Sequence, residues 1–350
     1  MKIAVTGDLH FGDKRHSLFI DNQFVKIQET AELMDRFIEK LQDNKVDFIV
    51  LLGDIFDSKI LDVQLVSRLI EWLNRLDSLN IPIVIFPGNH ESSAMKTSLD
   101  FIENISYQNI KYYNVPDSLE FRGHQLLFLP YWNEKIKKIY PTEQEFISTH
   151  ISDKIPNLAF AHLWLSGAFL NENSNEEWIE KKDLFLNGID YFVSGHIHKS
   201  QSFSIGNTII HYPGAPLYLD FGDNHKDEKT FSIIDTETGM VDKIEIIKSR
   251  KYYTYYLTSI SQLTDYQNND FDYIKFKISK NLKHEIPKEF FDKKNFIFEI
   301  VPQEEIDIEE KIKDVSFEEI INKVIKKRNL TPEFEKQIIQ NLIRIKEGIC

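Results

Sequence analysis

The sequence predicts an α/β fold: a two-sheet βαβ sandwich with helices outside, then a small α+β unit and a C-terminal helical hairpin. Three observations predict it. Up to about residue 250, short unbroken apolar runs alternate with helix-period stripes, as strands buried on both faces and their crossover helices do. After residue 111 strands follow one another more closely, which is met economically by a second sheet facing the first. Beyond residue 315, two short amphipathic helices follow an acidic, poorly patterned stretch.

Residues 2–6 form the first strand. A helix over 22–42 carries Ile27, Ala31, Met34, Ile38 and Leu41 on one face. The strand at 47–52 follows, then a helix with Leu65, Leu69, Leu73 and Leu76 on its stripe, a strand at 81–86 and a shorter helix near 97–104. Such strand–helix–strand units imply right-handed crossovers and a largely parallel sheet. Strands at 110–113, 118–121 and 125–129 come next, then a helical stretch at 144–152 and apolar strands at 157–161 and 190–194. The polar segment 166–187 reads as a surface excursion. Further strands with turns at Gly206-Asn207 and near Gly239 run to about residue 248.

The domain boundaries fall at 1–250, 251–302, a linker at 303–314 and a hairpin at 315–350. In the hairpin, Ser316-Phe-Glu-Glu319 is a capping box, with Phe317, Ile320, Ile321 and Val324 on one stripe. Thr331-Pro332 opens the second helix, whose stripe holds Phe334, Ile338 and Leu342. Two short helices bury such stripes poorly by themselves, so they dock either on the chain's own body or on a partner.

Composition is that of a globular protein: 42% apolar and 28% charged. No run of about 18 apolar residues occurs, and Met1 leads straight into a strand, so neither a membrane span nor a signal peptide is expected. Cys350 is the only cysteine, which excludes an internal disulfide and a cysteine-based zinc site and points to a cytoplasmic protein. The net charge of −13 argues against a simple nucleic-acid binder. A site for two divalent cations needs carboxylates, however, and its cations themselves attract phosphate.

Five apolar strands each end in metal-competent side chains: Asp8-Leu-His10, Gly53-Asp54, Gly88-Asn-His90, His162 and Gly195-His-Ile-His198. Functional groups gather at the carboxyl ends of strands in open α/β sheets. Residues two apart on a strand share a face, which turns Asp8 and His10 together, as it does His196 and His198. The glycines let the backbone turn sharply. Carboxylate, imidazole and amide oxygen without thiolate suit Mn, Fe or Zn. Two ions held close need one shared carboxylate, and Asp54 at the end of the central strand is the candidate.

The ordered set D-x-H, GD, GNH, H and GH-x-H resembles the calcineurin-like metallophosphoesterases. Within them, Gly7-Asp-Leu-His-Phe-Gly12, Gly53-Asp-Ile-Phe-Asp57, Pro87-Gly-Asn-His-Glu91, Ser194-Gly-His-Ile-His198 and Tyr212-Pro-Gly-Ala-Pro-Leu-Tyr-Leu-Asp-Phe-Gly222 resemble the SbcD and Mre-eleven nucleases, including the recombination-nuclease subunit of tailed phages. The resemblance implies that Asp8, His10, Asp54 and His198 hold one ion and Asp54, Asn89, His162 and His196 the other, both Mn²⁺. His90 would stabilise charge on the phosphate or protonate the leaving oxygen; nearness in sequence, rather than the resemblance, makes Asp57 the candidate for its orienting carboxylate. The resemblance implies in-line attack by a metal-bridging hydroxide, as in a Mn-dependent DNA exonuclease and endonuclease subunit of an SbcCD-type complex. Residues 251–302 would be a capping domain that positions DNA. The hairpin would bind the coiled-coil base of an SbcC or Rad-fifty-type ATPase, and helices near 62–79 and 94–105 would make a homodimer, giving a heterotetramer with the ATPase. Asp57, where archaeal and eukaryotic relatives carry His, places the chain on the bacterial or phage branch.

Lys14, Arg15 and His16 follow the first motif and are candidate phosphate contacts. Lys135, Lys137, Lys138 and the run from Lys248 to Lys251 read as solvated surface, and Tyr252, Tyr253, Tyr255 and Tyr256 as packing. Two other readings stand beside the nuclease: a phosphatase or cyclic-nucleotide phosphodiesterase on the same fold, against which the hairpin argues, and a non-catalytic DNA-end scaffold, against which the complete ligand set argues.

Overall fold

In chain order the first unit runs β1 (Lys2–Thr6), the small hairpin β2 (Phe19–Ile20) and β3 (Gln23–Phe24), α1 (Val25–Asn44), β4 (Phe48–Leu51), α2 (Val63–Asp77), β5 (Ile83–Ile85) and β6 (Ile110–Tyr112). It continues with β7 (Asp117–Phe121), β8 (His124–Leu129), α3 (Glu134–Lys137), α4 (Glu143–His150), β9 (Asn157–Ala161), β10 (Tyr191–Ser194), β11 (Gln201–Ile205), β12 (Thr208–Tyr212), β13 (Thr230–Asp235) and β14 (Val241–Glu245). The computed structural model describes residues 1–165, 168, 186–223, 226–269, 271–303 and 306.

Two six-stranded sheets result, ordered β14-β13-β1-β4-β5-β6 and β11-β12-β10-β9-β8-β7. β1, β4, β5 and β6 are parallel, as are β8, β9, β10 and β12; antiparallel strands form both edges of the second sheet and the β14 edge of the first, whose other edge is the parallel β6. The parallel strands therefore point their carboxyl ends the same way within each sheet, and every metal-competent motif follows one of them.

Alternation along β1 shows how the layers form. Ile3 and Val5 join Phe48, Val50, Phe86, Phe128 and Phe160 in a cluster drawn from both sheets, the dry layer between them. Ala4 faces the other way, with Ile49 and Leu51, onto the stripes of α1 and α2, including Leu33, Phe37, Leu69 and Leu73. The outer face of the second sheet packs Leu127, Ala159 and Phe192 against Ile136, Phe146 and Ile147 of α3 and α4. Both faces of the central strands are thus covered, the physical reason that they read as unbroken apolar runs.

The helix expected near 97–104 is instead a 3₁₀ turn at Asp100–Asn104. The Asp100 carboxylate accepts from the Thr97 backbone N–H and hydroxyl, the Tyr112 hydroxyl and the Asn114 amide. Side-chain capture of backbone donors of this kind competes with an α-helix. α2 starts where Asp62 accepts from the Gln64 N–H, and α1 ends on Lys45 in the left-handed region.

The second compact unit begins at Thr254. β15 (Tyr252–Leu257), β16 (Tyr273–Ile278) and β17 (Phe296–Ile300) form a three-stranded sheet with β16 in the middle, and the short α5 (Lys288–Phe291) follows β16. Leu257, Leu263, Phe276, Phe290 and Phe296 make its core. The hairpin at 315–350, with Phe317, Ile320, Ile321, Val324, Phe334, Ile338 and Leu342, lies outside the described residues, as do most of the linker and of the excursion at 166–187. No described helix is long and apolar enough to cross a membrane.

Candidate metal centre

The loops that leave β1, β4, β5, β9 and β10 bring Asp8, His10, Asp54, Asn89, His162, His196 and His198 together. The ligand atoms of Asp8, His10 and His198 lie within 4.8 Å of one another, as do those of Asp54, His162 and His196. Asn89 Oδ1 is 2.9 Å from both His162 Nε2 and His196 Nδ1. Asp54 Oδ2 is 3.3 Å from His162 Nε2 and 3.9 Å from His10 Nε2, so its carboxylate faces both groups.

Strand alternation is not what aims these side chains. β1 ends at Thr6 and β10 at Ser194. Asp8, His10, Asp54 and His196 all take the left-handed backbone, with φ of 51°, 45°, 48° and 82°. Non-glycine residues rarely adopt that region, and clusters of them mark sites where the surrounding structure imposes the conformation. The imposing contacts are backbone hydrogen bonds: Asp8 N–H to the Gly53 carbonyl and His10 N–H to the Asp54 carbonyl, each 3.0 Å. The His196 N–H donates to the Asp8 carboxylate at 2.9 Å.

The glycines serve mainly close approach. A Cβ on Gly88 would stand 2.1 Å from Asp54 Oδ1. Gly53 has φ +85°, and its Cβ would meet the Gly88 nitrogen at 2.5 Å. The GD and GNH loops touch backbone to backbone, and only residues without a side chain fit there.

Glu91 holds this junction together, a role that the ligand motifs do not announce. Buried, it accepts from the N–H groups of Asp54 (3.0 Å), Phe56 (2.7 Å) and Gly88 (2.9 Å). Its position directly after Gly88-Asn-His90 is the signal that could have found it. Burial and the charge of Asp54 raise its pKa to about 7.

Hydrogen bonds assign the imidazole tautomers. His162 Nδ1 lies 2.7 Å from the Leu52 carbonyl, so it carries the proton and donates. Nε2 then aims a lone pair at two oxygens, those of Asp54 and Asn89. His10 Nδ1 donates to Asp57 Oδ1 at 3.0 Å, leaving Nε2 facing His198 Nε2 at 3.1 Å. Lone pairs converging on lone pairs in a buried pocket require a positive charge among them. Protons answer part of this. Burial would lower His162, but Asp54 and Asp8 raise it to about 9. Burial would raise Asp54, yet His162, His10 and His90 hold it well below the carboxylate range. Burial and the neighbouring Asp54 push Asp8 up, while burial and His10 push His198 down. Divalent cations answer the whole of it, and an all-oxygen-and-nitrogen donor set fits Mn, Fe or Zn.

His90 differs from these buried groups, its side chain being 31% exposed. Its backbone N–H donates to Asp54 Oδ1 at 2.9 Å, and its ring meets His10 edge-on. The pairing with the Asp57 carboxylate needs correction. His90 Nδ1 is 2.9 Å from the Asp57 backbone carbonyl, with the carboxylate 3.7 Å away. That carboxylate is occupied instead by His10 and by Arg15 Nη2, each at 3.0 Å. Lys14, Arg15 and His16 are all exposed beside this loop. The 212–222 stretch supports the His198 loop, through Ala215 N–H to the His198 carbonyl at 3.1 Å.

The family profile of the calcineurin-like phosphoesterases matches residues 1–200. The SbcD component of the SbcCD nuclease from Staphylococcus epidermidis is 24% identical over 311 residues, covering 76% of this chain and 81% of that protein. Among solved structures, a dimetal phosphatase from Danio rerio is 12% identical and covers 67% of this chain and 91% of its own, with a TM-score of 0.43. An archaeal phosphodiesterase is 13% identical and covers 70% of this chain and 99% of its own, with a TM-score of 0.37.

Proposed function

Because this chain belongs to the calcineurin-like phosphoesterase family, we propose that its phosphoester is DNA and that it is the nuclease subunit of an SbcCD-type end-processing complex. The observation that carries the reading is the convergence of two ligand groups on the one carboxylate of Asp54. The relative from Staphylococcus epidermidis, a nuclease subunit, supports a nucleic acid as the substrate.

Asp8, His10, Asp54 and His198 would hold one divalent ion, and Asp54, Asn89, His162 and His196 the other, both Mn²⁺. When bound, such a pair supplies Lewis acidity, activating water at neutral pH and neutralising charge on the phosphoryl oxygens. The chain's own residues do the rest. Glu91 locks the GD and GNH loops so that Asp54 and Asn89 keep their places. His162 and His10 keep their Nε2 lone pairs inward because Leu52 and Asp57 take the Nδ1 protons. His90, oriented by the Asp57 carbonyl and partly open to solvent, would stabilise charge on the phosphate or protonate the leaving oxygen. Lys14 and His16, both exposed, contact the DNA phosphates.

The segment 315–350, whose sequence predicts a helical hairpin, would bind the coiled coil of an SbcC-type ATPase. Ile60 in the loop before α2 and Val63 at its first position, 90% and 80% exposed, support a homodimer contact there and so a heterotetramer with the ATPase. The unit from 254 onward would position DNA. The complex belongs in the bacterial cytoplasm, as a cellular or a phage protein.

Purified protein with Mn²⁺ should digest linear DNA faster than cyclic nucleotides or simple phosphomonoesters. Asp8→Asn should abolish digestion, and His90→Gln should lower it about 10²–10⁴-fold, the usual contribution of a general acid. Both variants should keep the unfolding temperature of a correctly folded chain. Full activity in both would defeat the site assignment, and preference for small phosphoesters would defeat the choice of DNA. Deleting residues 310–350 should release the ATPase in co-purification.

A further inference from the structure

Arg15 follows the first ligand loop, where an exposed basic residue invites the reading of a phosphate contact. Its guanidinium is already committed. Nε and Nη2 donate to the Asp13 carboxylate at 3.0 and 3.3 Å, and Nη2 also donates to Asp57 Oδ1 at 3.0 Å. The backbone N–H of Arg15 returns to Asp13 Oδ1 at 2.8 Å. Asp57 Oδ1 is the same oxygen that accepts the Nδ1 proton of His10.

The far end of this chain of contacts is anchored in the core. Asp13 is 3% exposed and pairs with the ammonium of Lys26, itself 5% exposed on α1. Lys26 also donates to the Arg15 carbonyl at 3.0 Å and to the Leu219 carbonyl, and it stands over the Tyr252 ring. Two cations and two carboxylates thus alternate in contact from a helix interior to a ligand imidazole. A carboxylate with one partner can rotate; one clamped by a planar guanidinium that is itself clamped cannot.

We infer that Arg15 is a positioning residue for His10, acting through Asp57, and that Asp13 and Lys26 hold it in place. The inference rests on the metal centre proposed above. What Arg15 contributes is a fixed oxygen, which sets the tautomer and the ring plane of His10 before any cation arrives. Partners of metal-ligating histidines typically contribute about 10- to 100-fold to metal affinity. Lysine cannot replace it, because one ammonium does not span two carboxylates as a planar fork does.

The test is titration calorimetry of the full chain with Mn²⁺ alone, alongside the salt dependence of DNA binding. Arg15→Ala and Arg15→Lys should each weaken Mn²⁺ binding about tenfold and leave the salt slope unchanged. The lysine variant keeps the stem and charge, so it reads the effect even where the alanine variant folds poorly. Mn²⁺ affinity within twofold of the unsubstituted chain in both variants overturns the inference. So does a salt slope shallower by about one ion in Arg15→Ala, the mark of a lost phosphate contact. Asp8→Asn separates the two levels. If it weakens Mn²⁺ binding while the Arg15 variants do not, only the positioning role falls; if it too binds normally, the metal centre itself is wrong.

Discussion

β1 supplies two regions a few residues apart that are built in opposite ways. Ile3 and Val5 lie in extended backbone within the dry layer between the sheets, beside Phe48 and Phe128. Asp8 and His10 lie just beyond, in left-handed backbone, with their charged and polar atoms buried against other charged and polar atoms. The first region gains from every contact and strains nothing. The second carries unusual dihedrals, buried carboxylates and converging lone pairs, each costing on the order of 1–3 kcal/mol. The inter-sheet layer therefore stabilises what the cleft destabilises, and stability and activity should be separable by residue.

The largest stability effect expected is at Phe128, fully buried and packed against Phe48, Tyr113 and Phe160 with ring centroids 6.4, 5.5 and 5.8 Å apart. Phe128→Ala should cost about 3–5 kcal/mol in denaturant unfolding while leaving the activity per folded molecule unchanged. Loss of activity in the folded fraction would show that layer and cleft are not separable.

A polar group inside the protected region gives the next test. His211 of β12 sits with its ring nitrogens 2.8 Å from Ser202 Oγ and Ser232 Oγ, so it links the second sheet to β13 of the first. Burial and Lys243 lower its pKa to about 4 from an ordinary 6.5. As pH falls below 6.5 the unfolded chain takes up a proton that the folded chain refuses until about 4. Its contribution is therefore complete above pH 6.5 and is lost as pH falls to about 4, by roughly 3 kcal/mol. Unfolding free energies of the natural chain and His211→Gln, compared across this window, should converge with falling pH. A constant gap would mean that His211 is not held neutral.

The smallest perturbation belongs to the cleft. Gly88→Ala adds one methyl group, but its Cβ meets Asp54 Oδ1 at 2.1 Å, so one of the two loops must move. A displacement near 1 Å in a catalytic site costs about 10²-fold in rate. The expected result is that loss in kcat with a far smaller relative change in stability than Phe128→Ala produces. Equal activity would mean that the GD and GNH loops have slack.

Which parts are legible in the sequence follows the same division. The strands and the two long helices are readable because their burial repeats within a few residues: Leu69, Leu73 and Leu76 announce one face of α2 without reference to anything else. The ligand residues are readable because each motif is local and ends an apolar run. The turn at 100–104 is not, since Asp100 is fixed by Tyr112 and Asn114 from a later strand and loop. Nothing in the sequence around Lys26 marks it as buried, and the fold places it against Asp13. The carboxylate of Asp57 goes to His10 rather than His90 for a related reason: proximity in sequence does not say which ring nitrogen it will meet.

By itself, then, the order of residues determined the α/β layers, the apolar faces that make them and the donor types available at each strand end. All of these depend on side chains within one or two turns of each other. Tertiary structure alone decided the left-handed backbone at Asp8, His10, Asp54 and His196, the clasp of Glu91 on three N–H groups and the line of charges from Lys26 to His10. Those features join segments that lie apart along the chain, where distance in sequence carries no information about distance in space.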